Sequence, residues 1–360
     1  MDARHRFIAV LTGQPVDRPP FVRLFGPGSI ALRAWEDECP GISGCVDLLL
    51  RFEGGSRGWH RTCVNVGIAS PDINSVRVVS PDFLVHTDGD GASCIVEPDD
   101  NSKHVIAHAV SCREDWNALR DELLDSEDPC RFPPEWRQDV NAYRVRDYPV
   151  ALTHGGVMRF VRRLMGDANM LSALTTDPSL ICEIMDAHTD MVLRLWKKMV
   201  ARVEFDLVDS WDDFHIDGRF VADEHVLNHI VSNYRRICHF ARENGISIVL
   251  AGWHGRVDPV LDELVKAGVS AVYPVDACEG NDLFAIREKY PNLGIIGGLD
   301  SIALTKGSKG QRAQLDLARR MIDAGWYIPG LNAHPDSAVR WKVYREFMRQ
   351  LGKVVRKEGM

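Results

Sequence analysis

Six short runs, each near-continuously apolar and rich in β-branched residues, recur between residues 148 and 334, and segments of helical periodicity separate them. The runs are YPVALTH (148–154), EFDLVDSW (204–211), ISIVLAGWH (246–254), VSAVYPVD (269–276), LGIIGGLD (293–300) and WYIPGLNAH (326–334). Strands that carry apolar residues on both faces belong in a parallel sheet covered on both sides, and their alternation with helices predicts repeated βα units. Segments 178–202 and 222–243 repeat apolar residues at i, i+3, i+4, with acids early and Lys or Arg late, as the helix dipole favours. Asn244-Gly245 and Ala267-Gly268 fall where helices end, and Asp258-Pro259 where one begins. A helix over 2–12 and a further strand at 19–25 (PPFVRLF) are expected ahead of these units. Residues 26–147 read differently. Turn-rich clusters (FGPGS, EGGSRG, HTDGDGAS, EPDDNSK) alternate with short strand-like stretches (SVRVVS, SCIVE), predicting an N-terminal elaboration with hairpin structure and one or two barrel strands. One barrel over 1–360 is the economical reading.

Composition narrows the function. The net charge of −8 and the pI of about 5.9 argue against nucleic acid, because phosphate neutralisation needs clustered Lys and Arg. No apolar run approaches the roughly 20 residues of a membrane span, and the opening MDARHRFIAVLTG lacks a signal cleavage site, so a cytoplasmic protein is expected. The nine cysteines are scattered and never in C-x-x-C spacing, which predicts mostly buried small hydrophobes rather than a disulfide framework or zinc ribbon.

Barrel enzymes place their chemistry at the C-terminal ends of strands, so the polar residues closing these runs are the candidates. They are His154; Asp209 with Asp212, Asp213 and His215; His254; Asp276; Asp300; and Asn332 with His334. Each alone could be a helix cap or a satisfied interior group, but six consecutive strand ends of this kind converge on one mouth. Carboxylates crowded as in Asp209–Asp217 raise one another's pKa, which suits general acid–base work or a metal. Trp211, Trp253, Trp326 and Tyr273 either wall a pocket for a planar or methoxylated aromatic substrate or pack the barrel rim. The pairs His104/His108 and His225/His229 have i, i+4 spacing without the Glu of H-E-x-x-H and are read as surface residues. No nucleophile elbow, P-loop or G-x-G-x-x-G occurs.

RHRFIAVLTGQPVDRPP, VMRFVRRLMG, DPSLICEIMD, SWDDF, RRICHFARENGISIVLAGWHGRV, LVKAGVSAVYPVD, GIIGGLDSIAL and GWYIPGLNAHPD, in this order over some 340 residues, resemble the uroporphyrinogen decarboxylase superfamily. The resemblance implies an α/β fold, a (β/α)8 TIM barrel. The superfamily includes decarboxylases of porphyrin metabolism and methyltransferases that work with a corrinoid, some in O-demethylation. The decarboxylases carry an R-x-x-G-R cluster for the substrate's carboxylates and an F-S-D strand end; here Arg23 alone stands near the first and nothing matches the second. The methyltransferases typically hold zinc through H-x-C and a later Cys. Here those positions read Gly252-Trp253-His254 and fall near Asn332–His334, so the thiolate site is absent.

The resemblance therefore points to a methyltransferase that moves a methyl group between a small methylated or methoxylated substrate and a corrinoid (cobalamin) carried by a partner protein. Asp212, Asp213, His254, Asp276 and His334 are its expected catalytic residues, and His154, Trp211, His215, Trp253 and Asn332 its expected substrate-binding residues. His254 and His334, with a carboxylate from Asp212, Asp213 or Asp276, either hold a zinc ion or act without metal as acid, base or carboxylate binder. A homodimer is plausible by the same analogy. The alternatives are a decarboxylase of a tetrapyrrole or related acid, and a non-catalytic barrel that binds a tetrapyrrole or a corrinoid protein.

Overall fold

Each of the six apolar runs contains a strand, and helices occupy the gaps. The computed structural model describes all residues except 55–56, 70–73, 81–82, 97–102 and 359–360. In chain order its elements begin with α1 (Ala3–Leu11), α2 (Ser29–Glu38), α3 (Val46–Leu50), β1 (His60–Arg61), β2 (Val76–Ser80), β3 (Phe83–Thr87), β4 (Ser93–Val96), β5 (Lys103–Ala107), α4 (Arg113–Leu123) and α5 (Trp136–Arg144). The βα units follow: β6 (Val150–Thr153), α6 (Val157–Thr176), α7 (Pro178–Val200), β7 (Leu207–Trp211), β8 (His215–Ile216), β9 (Arg219–Phe220), α8 (Glu224–Glu243) and β10 (Ile248–Gly252). The chain closes with α9 (Asp258–Ala267), β11 (Ala271–Tyr273), α10 (Leu283–Lys289), β12 (Gly294–Ile296), α11 (Gly307–Ala324), β13 (Tyr327–Ile328) and α12 (Trp341–Arg356).

Seven strands form one curled parallel sheet in the order β1-β6-β7-β10-β11-β12-β13, a mixed α/β, TIM-barrel-like arrangement. Side chains alternate across it with the period of two that strands impose. Ala151, Leu207, Ile248, Leu250, Ala271, Tyr273, Ile296 and Ile328 share the inner cluster with Trp59, while Phe7, Val10 and Leu11 of α1 pack against the same cluster. Val208, Val249, Ala251, Val272 and Ile295 face the other way, into the helix layer.

The strand expected at 19–25 is an irregular segment. Pro19 and Pro20 remove two backbone donors from any ladder there, yet Val22, Leu24 and Phe25 still reach the inner cluster. Gly297 makes that approach possible: at φ +99° a Cβ would lie 2.8 Å from Leu24 and 2.7 Å from the Pro274 carbonyl.

Segment 26–147 contributes β1 to the parallel sheet and folds β2–β5 into an antiparallel meander. The cysteines correct the sequence reading: all nine are free, Cys94, Cys182 and Cys238 are buried, and the other six are exposed. Among the described residues, no helix is long and apolar enough to cross a membrane.

Candidate active site

Beyond the C-terminal ends of β6, β7 and β10 lies a cavity of about 500 Å³. Four guanidiniums line it, those of Arg57, Arg61, Arg159 and Arg163, together with the aromatic rings of Phe25 and Trp211, the imidazoles of His254 and His334, and Asp213. A second recess of about 410 Å³, which includes Arg23 and Asp47, shares Phe25, Arg57 and His334 as wall residues. The combined space suits a small molecule.

Asp209 anchors the base of the cavity. Fully buried on the inner face of β7, it accepts hydrogen bonds from Arg61 Nε (2.5 Å), Trp59 Nε1 (3.0 Å) and Tyr273 Oη (2.7 Å), and Arg61 Nη2 donates in turn to Tyr273 Oη at 3.0 Å. Burial opposes the charge on Arg61, but Asp209 and Tyr273 outweigh it and leave the guanidinium more firmly protonated than usual.

The remaining cations are paired unequally. Arg163 is bound by Asp90 at 2.6 Å, and Arg159 lies 3.7 Å from Asp213. Arg57 has no ion pair among the described residues; its guanidinium sits 5.6 Å from the centre of the Phe25 ring, and burial together with repulsion from Arg61 lowers its pKa. The cavity thus keeps one surplus guanidinium. Thr153 Oγ1, buried at the same cavity, has no hydrogen-bond partner among the described residues.

Both histidines pack on Phe25, with ring centroids 6.0 Å (His254) and 5.4 Å (His334) from it, and Trp211 meets His254 edge-on at 5.0 Å. His334 Nδ1 contacts the Gly26 carbonyl at 2.5 Å, which makes Nδ1 the donor. The protein crowding the base of the His254 ring lowers its pKa, outweighing the opposite pull of Asp276 and Asp213. His254 is therefore neutral at pH 7. Among the described residues, no three His, Cys, Asp or Glu ligand atoms at this mouth lie within 4.8 Å of one another. The side chains as arranged there do not present the set a zinc ion needs.

The other sequence candidates take different places. Asp212 is buried: its carboxylate accepts from the backbone N–H groups of Val157 and Arg159 (2.8 Å each) and Asp213 (3.1 Å), and from Tyr234 Oη (3.1 Å). It thereby caps α6 and aims that helix start, with Arg159 and Arg163, at the mouth. Burial pushes its pKa up to about 6 against those N–H groups. Gly156 precedes the helix at φ +92°, where a Cβ would lie 2.1 Å from the Trp211 carbonyl.

Asp276 and Asn332 brace one another. Asn332 donates from Nδ2 to Asp276 Oδ1 at 2.5 Å, accepts from Ser301 N at 2.9 Å, and is almost fully buried. His154 is fully buried behind β6, where it meets Thr189 and His188 of α7. Trp253 is buried in the helix layer, its Nε1 donating to the Arg256 carbonyl. His215 packs on Phe220 beside the mouth. The structure therefore gathers Asp213, His254, His334 and Trp211 at the cavity, with Asp212, Asp276 and Asn332 as supports, and sets His154, His215 and Trp253 outside its lining.

No family model and no curated protein sequence matches the chain. Among solved structures, a methyltransferase from Methanosarcina mazei superposes over 99% of both chains, with a TM-score of 0.61 at 13% identity. The two share a fold. A Listeria monocytogenes protein described as a vitamin-B12 independent methionine synthase covers 60% of this chain and 65% of its own at 9% identity, with a TM-score of 0.37, too distant a likeness to support an inference.

Proposed function

We infer that the chain is a methyltransferase whose substrate is a small methylated or methoxylated molecule with one anionic group, the methyl passing to or from a corrinoid carried by a partner protein. The observation that carries this reading is the surplus charge of Arg57 beside His254, His334 and Trp211 at the strand-end mouth. The end-to-end likeness to a methyltransferase supports it. A guanidinium free of carboxylate partners binds a carboxylate, sulfonate or phosphate in a fixed orientation. Trp211 and Phe25 hold a flat ring or methyl-bearing carbon against His254. When a methoxy carbon–oxygen bond breaks, the electron pair stays on oxygen. Neutral His254 still has one N–H to donate to that oxygen, and Arg57 opposes its charge. A corrinoid presented at this mouth by its partner protein would supply the methyl-accepting or methyl-donating centre, while Arg57, Trp211, Phe25 and His254 hold the substrate.

One observation favours the decarboxylase alternative: the arginines that the N-terminal motif lacks are present at Arg57, Arg61, Arg159 and Arg163. Three of the four already face Asp209, Asp213 or Asp90, so among the described residues the mouth offers a single unpaired cation and suits a small acid better than an eight-carboxylate tetrapyrrole. A panel of methoxylated aromatic and aliphatic acids, incubated with the protein and reduced free cobalamin, separates the readings. Methylated cobalamin is the expected product; release of carbon dioxide without methyl transfer would replace this reading with the decarboxylase.

A further inference from the structure

On the outer wall of the barrel, away from the mouth cavity, Cys182 of α7 meets His225 and His229 of α8. The Cys182 Sγ and His225 Nε2 atoms are 3.7 Å apart, the two imidazole centroids are 4.8 Å apart, and the three ligand atoms all lie within 4.8 Å of one another. We propose that Cys182, His225 and His229 bind a divalent transition-metal ion, zinc foremost, which staples α7 to α8 with its fourth position open to water.

The spacing is that of a tetrahedral centre. Zinc–sulfur and zinc–nitrogen bonds of about 2.3 and 2.0–2.1 Å at a tetrahedral angle put sulfur and nitrogen about 3.6 Å apart. A thiolate with two imidazoles is a donor set for zinc rather than for calcium or magnesium, which take oxygen. The His225/His229 spacing of one helical turn puts both rings on the same side of α8. His229 Nδ1 lies 3.3 Å from the His225 carbonyl, leaving Nε2 to face the cluster, the arrangement by which metal-bound imidazoles are commonly oriented.

The frame is already rigid. Further along the same helix pair, Asn233 Nδ2 donates to Asp186 Oδ1 at 2.8 Å and Arg236 pairs with Asp190, so α7 and α8 are held in register beside the cluster. Asp186 and Asp223 lie close enough to act electrostatically on Cys182, a field that attracts a cation. Cys182 is almost fully buried, His225 is exposed and His229 lies between, so an ion can enter from solvent and leave the thiolate shielded.

Chelator-stripped full-length protein, titrated with zinc against a chromophoric competitor and then with cobalt, tests this site. The expected results are one equivalent bound, a thiolate-to-cobalt band in the near ultraviolet, loss of that band in Cys182→Ser, and zinc binding weakened at least about tenfold in Cys182→Ser and His229→Ala. His254→Ala and His334→Ala should bind as wild type does, and circular dichroism should show all variants folded. If wild type binds no equivalent, if folded Cys182→Ser and His229→Ala bind unchanged, or if the ion is lost with His254 or His334 instead, the proposal is overturned.

Discussion

Arg61 at the end of β1 donates from Nε to the fully buried carboxylate of Asp209 on β7 at 2.5 Å, joining two parts of the chain that are 148 residues apart beneath the cavity. Removing one member of a buried pair strands the other, at a cost of about 3 kcal/mol or more. Arg61→Met is expected to lose about this much, read from the urea midpoint, because it leaves the fully buried Asp209 carboxylate with two neutral donors and no cation. Asp209→Ala should cost less in stranded charge, because the Arg61 side chain it leaves is one-third exposed and can turn to water.

Asp212 and Asp213 are neighbours with different work. Asp212→Ala uncaps α6 and leaves the Tyr234 hydroxyl without its carboxylate, so a loss of about 1–2 kcal/mol is expected, with turnover reduced because Arg159 and Arg163 shift. Asp213→Ala should leave the unfolding midpoint within about 0.5 kcal/mol of wild type and strengthen anion binding, because it frees Arg159. Equal destabilisation in the two variants would contradict these assignments.

The sequence made the βα frame legible because continuous apolar runs and helical periodicity are local signals. The strand-end candidates are sorted by the two-residue alternation of each strand. Counting by twos along β7 puts Leu207, Asp209 and Trp211 on one face. The same parity turns His154 outward with Leu152, and Trp253 outward with Val249 and Ala251. The arginines were harder to see. Arg57 and Arg61 sit in and beside a turn-like cluster ahead of a strand two residues long, and Arg159 and Arg163 look like a solvated helix face until Asp212 fixes where that helix begins. The approach of Cys182 to His225/His229 depends on how two helices pack, which no pattern within either helix encodes.

Acid should destabilise the fold through two interior histidines. Burial holds the pKa of His188 down to about 3 and that of His154 well below its ordinary value, so both are neutral in the folded protein. The unfolded chain takes up protons near pH 6.5, so their contribution is complete above that pH and is lost as pH falls toward 3. His188 should contribute about 1.4 kcal/mol per pH unit over that range, and His154 adds to the loss in the same direction. Urea midpoints measured at pH 7 and pH 5 should fall accordingly, and by less in His188→Gln. An unchanged wild-type midpoint would refute this.

His254 predicts a pH dependence of opposite origin, in catalysis rather than folding. Because an imidazolium donates to the departing oxygen more strongly than the neutral ring that prevails at pH 7, activity should rise as pH drops through a value below the ordinary 6.5. That limb should vanish in His254→Asn. An activity that instead falls on acidification through a limb lost in His254→Asn would contradict His254 as the donor to that oxygen.

The account stands on the surplus guanidinium at the mouth. The most direct measurement is methyl transfer from a methoxylated acid to reduced cobalamin by wild type, Arg57→Ala and Arg57→Lys, each checked for folding. Loss of a charge-assisted contact predicts a rise in KM of about tenfold or more in Arg57→Ala, with partial recovery in Arg57→Lys. It also predicts no such penalty for the same substrate with its acid group replaced by a neutral amide. If Arg57→Ala handles the acid as wild type does, the anion is not read at this mouth and the central claim fails.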